Sequence, residues 1–69
     1  MMIQFIQPNG KLAAVDPLFV VAVVDRGKIE RKYRTGIRLE GHPDPIVVVG
    51  RFHEVLKAIS KAKDDIRAK

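Results

Sequence analysis

Seven apolar residues in a row, Leu18 to Val24, constrain this chain more than any other feature. Asp16-Pro17 precedes the run and Asp25-Arg26-Gly27-Lys28 follows it. Proline cannot donate to a ladder and restricts the residue before it, so a new element starts there. Four of the seven residues are valines, and the run is short for a helix, so it reads as a strand, with a buried helix segment as the competing reading. No polar residue alternates within it, which is the pattern of a strand covered on both faces. It falls far short of the roughly 20 residues that a membrane-spanning helix requires.

Covering such a strand is difficult in a chain of 69 residues. A domain of that size buries only about 60% of the surface it exposes when unfolded. With 46% hydrophobic and 30% charged residues the balance is that of a globular domain, not of a disordered chain. Cysteine is absent, which excludes disulfides, thiolate catalysis and cysteine-based zinc sites together. The start, Met-Met-Ile-Gln-Phe-Ile-Gln, lacks a basic n-region, so a signal peptide is not expected and a cytoplasmic location without a membrane partner is.

The remaining segments complete an α+β domain spanning residues 1–69. Ile3 and Phe5 alternate with Gln4 in a short strand over Met2 to Gln7, and Pro8-Asn9-Gly10 supplies residues that accept the positive φ of a tight turn. Lys11 to Val15 is the returning strand. From Lys28 to Glu40 one parity holds. Ile29, Tyr33, Ile37 and Leu39 share a face, with Arg31 and Thr35 as polar exceptions, opposite Lys28, Glu30, Lys32, Arg34, Arg38 and Glu40. This is one long twisted strand, or two broken near Thr35-Gly36. Gly41-His42-Pro43-Asp44-Pro45 is a turn, and Ile46 to Val49 another apolar strand.

After Gly50, Phe52, Val55, Leu56, Ile59, Ala62 and Ile66 recur at steps of three and four, the period of an amphipathic helix. Glu54 near its start and Lys63, Arg67 and Lys69 near its end complement the helix dipole, and fraying is expected beyond Ile66. The predicted fold is a small antiparallel meander, or a partly closed barrel, of about five strands followed by one C-terminal amphipathic helix. One helix covers one face of such a sheet. The second face must close into a barrel or pack on another subunit, which predicts a homo-oligomer, a dimer or a ring of low order.

Charge is concentrated rather than spread. The net charge is +5, and the segment Arg26 to Arg38 carries all of it: Arg26, Lys28, Arg31, Lys32, Arg34 and Arg38 against Glu30 alone. These six are the predicted ligand-binding residues. Alternate residues on a strand lie about 6.6 Å apart, near the spacing of successive phosphates on a nucleic-acid strand. Arginine offers a planar fork to a phosphate and lysine a point charge. Lys28, Lys32, Arg34 and Arg38 are expected on one strand face, and Tyr33, by parity, on the other. Without an aromatic platform beside the cations, phosphate binding is better supported than base stacking.

Groups for catalysis are sparse. His42-Pro43-Asp44 lies in a turn, His53 in the first helical turn beside Glu54, and Ser60, the single serine, mid-helix without a base nearby. The five glycines are isolated, so no phosphate-cradling loop is present. Asp64-Asp65 lie on the exposed end of the helix, and Asp16 and Asp44 precede prolines. No catalytic residue, metal site or cofactor is expected.

Several short motifs together resemble the FlbD-like family of small flagellar and swarming-motility proteins over about residues 2 to 59. They are Met-Ile-Gln-Phe-Ile, Asn9-Gly10-Lys11, Val15-Asp16-Pro17-Leu18, Thr35-Gly36-Ile37-Arg38-Leu39-Glu40-Gly41, Ile46 to Val49, and Glu54-Val55-Leu56 with Ile59. The basic segment Arg26 to Arg34 is longer than in that family, and Gly41-His42-Pro43-Asp44-Pro45 stands where the family has an Asn-Gly turn. In topology the chain is also similar to the carbon-storage regulators, which are five-stranded, helix-ended, dimeric and RNA-binding. Compact proteins of this composition include phage-encoded inhibitors and nucleotide-sequestering proteins. Neither resemblance assigns a residue. The charge predicts a non-enzymatic binding module for a nucleotide or nucleic acid. The family resemblance implies a protein–protein regulator that docks through an edge strand or the helix.

Overall fold

A computed structural model of the chain describes Met2 to Arg67. β1 (Ile3–Ile6) and β2 (Leu12–Val15) form an antiparallel hairpin with Ile3 opposite Val15. Its turn closes as the sequence predicts. Gly10 takes a φ of 85° and the Asn9 side chain accepts the Lys11 N–H at 2.9 Å. A 3₁₀ turn, Pro17–Phe19, follows, capped by the Asp16 carboxylate, which accepts the Leu18 N–H at 3.0 Å. Leu18 and Phe19 therefore belong to this turn and not to the strand that begins at Val20.

β3 (Val20–Ile29), β4 (Lys32–Leu39) and β5 (Ile46–Val49) make a second antiparallel sheet in that order. α1 (Phe52–Arg67) packs against β3, β4 and the 3₁₀ turn. The chain is thus an α+β fold of five strands in two antiparallel sheets with a C-terminal helix, and the sheets do not close into a barrel. The expected fraying beyond Ile66 and the placement of Lys69 concern the end of a helix that runs to Arg67; residues 68 and 69 lie outside the described residues.

Two strand boundaries differ from the sequence reading. Asp25-Arg26-Gly27-Lys28 is not a turn, since β3 continues through it with a bulge, and the chain reverses at Glu30-Arg31, so Lys28 to Glu40 is neither one strand nor two broken near Thr35-Gly36: Lys28 and Ile29 end β3, and β4 runs unbroken through Thr35-Gly36. Asp25 pairs with Thr35 and Lys28 with Tyr33, so Arg26 and Gly27 together face Arg34 alone. Gly27 supplies the left-handed backbone of this bulge, at a φ of 77°, and the Asp25 carboxylate accepts its N–H at 2.8 Å. Turn-forming residues can serve a bulge as readily as a turn, because both require a positive φ.

The core lies between the three-stranded sheet and the helix. Ile37 and Val48 are fully buried, and Val20, Val55 and Ile59 close around them. Ile3 and Phe5 bring the β1–β2 hairpin against the same cluster. Leu39 and Ile46 extend it, so the apolar parity of β4 and the helical period of α1 meet as the sequence predicts. Thr35, an exception in that parity, is also fully buried. Its hydroxyl donates to the Gly50 carbonyl at 2.9 Å, while the Gly50 N–H donates to the Tyr33 carbonyl at 2.9 Å. Gly50 itself has a φ of 149°, and a Cβ there would meet the Val55 Cγ2 at 3.2 Å. The end of β5 and the start of α1 are therefore tied to β4 by two hydrogen bonds through a residue that must be glycine.

The Thr35 hydroxyl is the polar atom on which this junction turns. Thr35→Val keeps the shape and leaves the Gly50 carbonyl without its side-chain partner. It should lower stability by about 1–3 kcal/mol, read from urea unfolding followed by helical circular dichroism. An unchanged midpoint would show that the hydrogen bond adds nothing net to the fold.

Candidate anion-binding face

The six predicted cations do not form one cluster; the β3–β4 bulge divides them. Residues 32, 34, 36 and 38 of β4 point away from the helix, opposite in parity to the buried Thr35 and Ile37. Without a bulge, strand alternation would place Lys28 on that same outer face. The extra residue inverts the alternation, and Lys28 pairs directly with Tyr33 on the inner side. Lys32, Arg34 and Arg38 thus lie on one face as expected, and Lys28 does not join them.

Arg26 takes the place beside them. Gly36 has no side chain, and the Arg26 stem fills the space above it: a Cβ on Gly36 would meet the Arg26 Cδ at 3.2 Å. Gly36 is consequently buried although it faces outward. Arg34 lies two residues along, opposite Val49, with its side chain only 22% exposed and its Nε buried without a hydrogen-bond partner. Its carboxylate neighbour is Glu30, at 3.8 Å and itself 83% exposed, the only ion pair among the described residues. A pair so long and so wet contributes at most about 1 kcal/mol. Arg38 lies opposite Ala22 at the other end of the face. The outer face thus carries four cations, and one loosely held carboxylate stands near them.

Beyond its pairing with β5, the β3–β4 hairpin continues as an arm. Every residue from Val24 to Tyr33 is exposed. Arg31 lies in the turn at its tip. Glu30 and Arg31 have φ values of 52° and 67°, the left-handed pair that a two-residue hairpin turn needs. On the inner side of the arm Tyr33 lies under two cations, the Lys28 Nζ 5.5 Å and the Arg51 Cζ 4.5 Å from its ring centroid. Each such contact contributes about 0.5–1 kcal/mol at an exposed site. Arg51 has no signal in the local sequence. It reaches Tyr33 because β5 ends opposite Arg34 and Gly50 is bonded back to Tyr33.

The groups considered for chemistry stay apart. His42 and Asp44 are exposed in the β4–β5 connection, and the His53 ring meets that of Phe52 edge to face at 5.7 Å. No three of His, Cys, Asp and Glu among the described residues gather to hold a metal ion. On the opposite side of the molecule an open groove of about 180 Å³ runs between β3 and α1, lined by Val21, Val23 and Leu56 among others. Its one cation, Lys63, turns to the Val20 carbonyl at 3.4 Å. Among the described residues no helix is long and apolar enough to cross a membrane.

Comparison with protein families, with curated proteins and with solved structures found no match, so the reading of this face rests on its own geometry.

The tip of the arm holds two non-glycine residues in the left-handed region, each at a cost of about 1–2 kcal/mol. Replacing Glu30-Arg31 by Asn-Gly should therefore raise stability by about 1–2 kcal/mol, seen as a higher urea midpoint at an unchanged slope. A fall in stability would mean that the two side chains hold the tip by contacts that outweigh the strain.

Proposed function

We propose that this chain is a non-enzymatic, homo-oligomeric cytoplasmic module that binds an anionic ligand, the phosphates of a nucleotide or nucleic acid. Arg26, Lys32, Arg34 and Arg38 hold the ligand and Arg31 approaches it from the tip of the arm, while Lys28, on the inner side against Tyr33, lies off this face. Such a protein would sequester or regulate its ligand. One observation carries this reading: four cations share a sheet face whose nearest carboxylate is held at 3.8 Å and almost wholly in water. Cations left largely without partners on one surface attract phosphates and other anionic groups.

The oligomeric part rests on what a single copy leaves uncovered. Val21, which bulges from β3, is 63% exposed, and Leu18, Phe19, Val24 and Leu56 also face solvent. A compact monomer of this mass exposes about 4,400 Å²; this chain exposes 5027 Å². The excess approaches the roughly 800 Å² per partner of a standard interface.

A second reading has its own support. β3 is the edge of its sheet and carries five consecutive apolar residues, Val20 to Val24, which suits a regulator that docks on a protein by strand addition, as the FlbD-like resemblance implies. Native mass spectrometry of protein purified from cells separates the two readings. Retained nucleotide or oligonucleotide supports the first, and a protein partner that survives nuclease treatment supports the second.

Charge reversal at Lys32 and Arg34 should abolish binding of a labelled oligonucleotide and of a fluorescent nucleotide at low salt, with the helical circular dichroism unchanged. Unaltered binding would remove the assignment to this face. Light scattering at micromolar concentration should give a mass of two or more times 7.8 kDa; a clean monomer would remove the oligomeric part alone.

A further inference from the structure

The cations of the outer face are not a loose cluster, because β4 spaces them. Lys32, Arg34 and Arg38 occupy three of four successive outward positions on one strand, and the fourth is Gly36. The Arg26 stem crosses from β3 to lie over that glycine. Four positive groups therefore follow one another along β4, at positions 32, 34, 36 and 38. Neighbouring positions are about 6.6 Å apart, which places the ends of the row about 20 Å from one another.

We infer that the ligand is a linear phosphodiester, a nucleic-acid strand lying along β4 with one phosphate at each of the four positions. This deepens the function proposed above and rests on it. Three features favour a strand over a mononucleotide. Sites for small ligands are concave, whereas this face is the open side of a sheet; the groove lies between β3 and the helix, and Lys63 is its one cation. The row is longer than the phosphates of one nucleotide can span. The neighbours of the cations on this face are Ala22, Val24, Ile29, Gly36, Val47 and Val49, and Tyr33, the aromatic of the arm, is on the inner side under Arg51 and Lys28. Bases then find no stacking platform, so the contact is to the backbone and is indifferent to sequence.

Gly36 provides a test that leaves the net charge unchanged. In Gly36→Ala the new Cβ meets only the far end of the flexible Arg26 side chain, at 3.2 Å, with Pro45 at an ordinary 3.8 Å. The sheet keeps its pairing while Arg26 is pushed out of the row. Binding of oligothymidylates of two, four and eight nucleotides, of a short duplex, and of ATP would be measured by fluorescence anisotropy between 50 and 200 mM salt. Affinity should rise from two to four nucleotides per site and then level off, with ATP far weaker. For a single strand contacted at four phosphates, affinity should fall about fifty-fold over that range of salt, and for Gly36→Ala or Arg26→Ala about twenty-fold. Lys57→Ala, which removes one charge from the exposed side of the helix, should behave as the unaltered protein. A steeper dependence with the duplex would assign the row to one strand of a double helix.

ATP binding as tight as that of a tetranucleotide, with a weak salt dependence lost on reversing Arg34, would overturn the strand and leave the phosphate-binding face standing. No binding of any of these probes would remove both. A Gly36→Ala protein equal to the unaltered one, or Lys57→Ala equal to Arg26→Ala, would show that total charge and not the row governs binding.

Discussion

One helix must cover a three-stranded sheet, and it can cover only one side. Everything distinctive in this molecule follows from what covers the other. Sequence reasoning allows two solutions, closure into a barrel or a second subunit, because it counts only apolar residues as cover. The fold adds a third. Arg26 lies over Gly36, and Arg34 is four-fifths buried opposite Val49, its Nε out of reach of water. Long basic side chains carry three or four methylene groups, which cover apolar surface while the charged head reaches solvent. The shortage of core and the concentration of charge are therefore one fact. The outer face is basic because arginine stems are what this short chain uses to shield it.

The bulge at Arg26-Gly27 decides which cations take part. It depends on one left-handed glycine, held by the Asp25 carboxylate, and it inverts the alternation of β3 beyond that point. Arg26 faces outward before the inversion and Lys28 faces inward after it. Lys28 then meets Tyr33, which Arg51 also reaches, so the arm presents arginines on one side and an aromatic ring under two cations on the other. A regular hairpin with the same residues would mix the two.

Periodicity carried most of the fold. The alternation of Ile3 and Phe5, the Asn9-Gly10 turn, the parity of Ile37 and Leu39, and the spacing of Val55, Ile59 and Ala62 each state a local preference that the tertiary structure also satisfies. The reading departs from the structure where a residue's local preference has two outlets. Asp25 and Gly27 favour a positive φ, and sequence cannot say whether a turn or a bulge uses it. Glu30 and Arg31 carry no turn signal, yet they reverse the chain because the pairing on either side leaves them two positions in which to do so. Thr35, a polar exception in an apolar face, is buried and hydrogen-bonded to Gly50. Arg51 reaches Tyr33 only through the pairing of β4 with β5, a long-range relation that no window of sequence contains.

Placing four cations in a row has an electrostatic cost that the fold does not cancel. Neighbours about 6.6 Å apart repel by about 2–3 kcal/mol at an effective dielectric near 20, and by less where water and salt reach them. Glu30 answers only one of the four, at a distance where little is gained. Lysines alone would relieve the repulsion by swinging into water. Arginine stems that also serve as cover cannot swing away without uncovering Gly36 and the valines beside it. Of the four only Arg34 is largely buried, so the repulsion is held in place chiefly there, and the polyanion proposed along β4 would relieve it while leaving the cover intact.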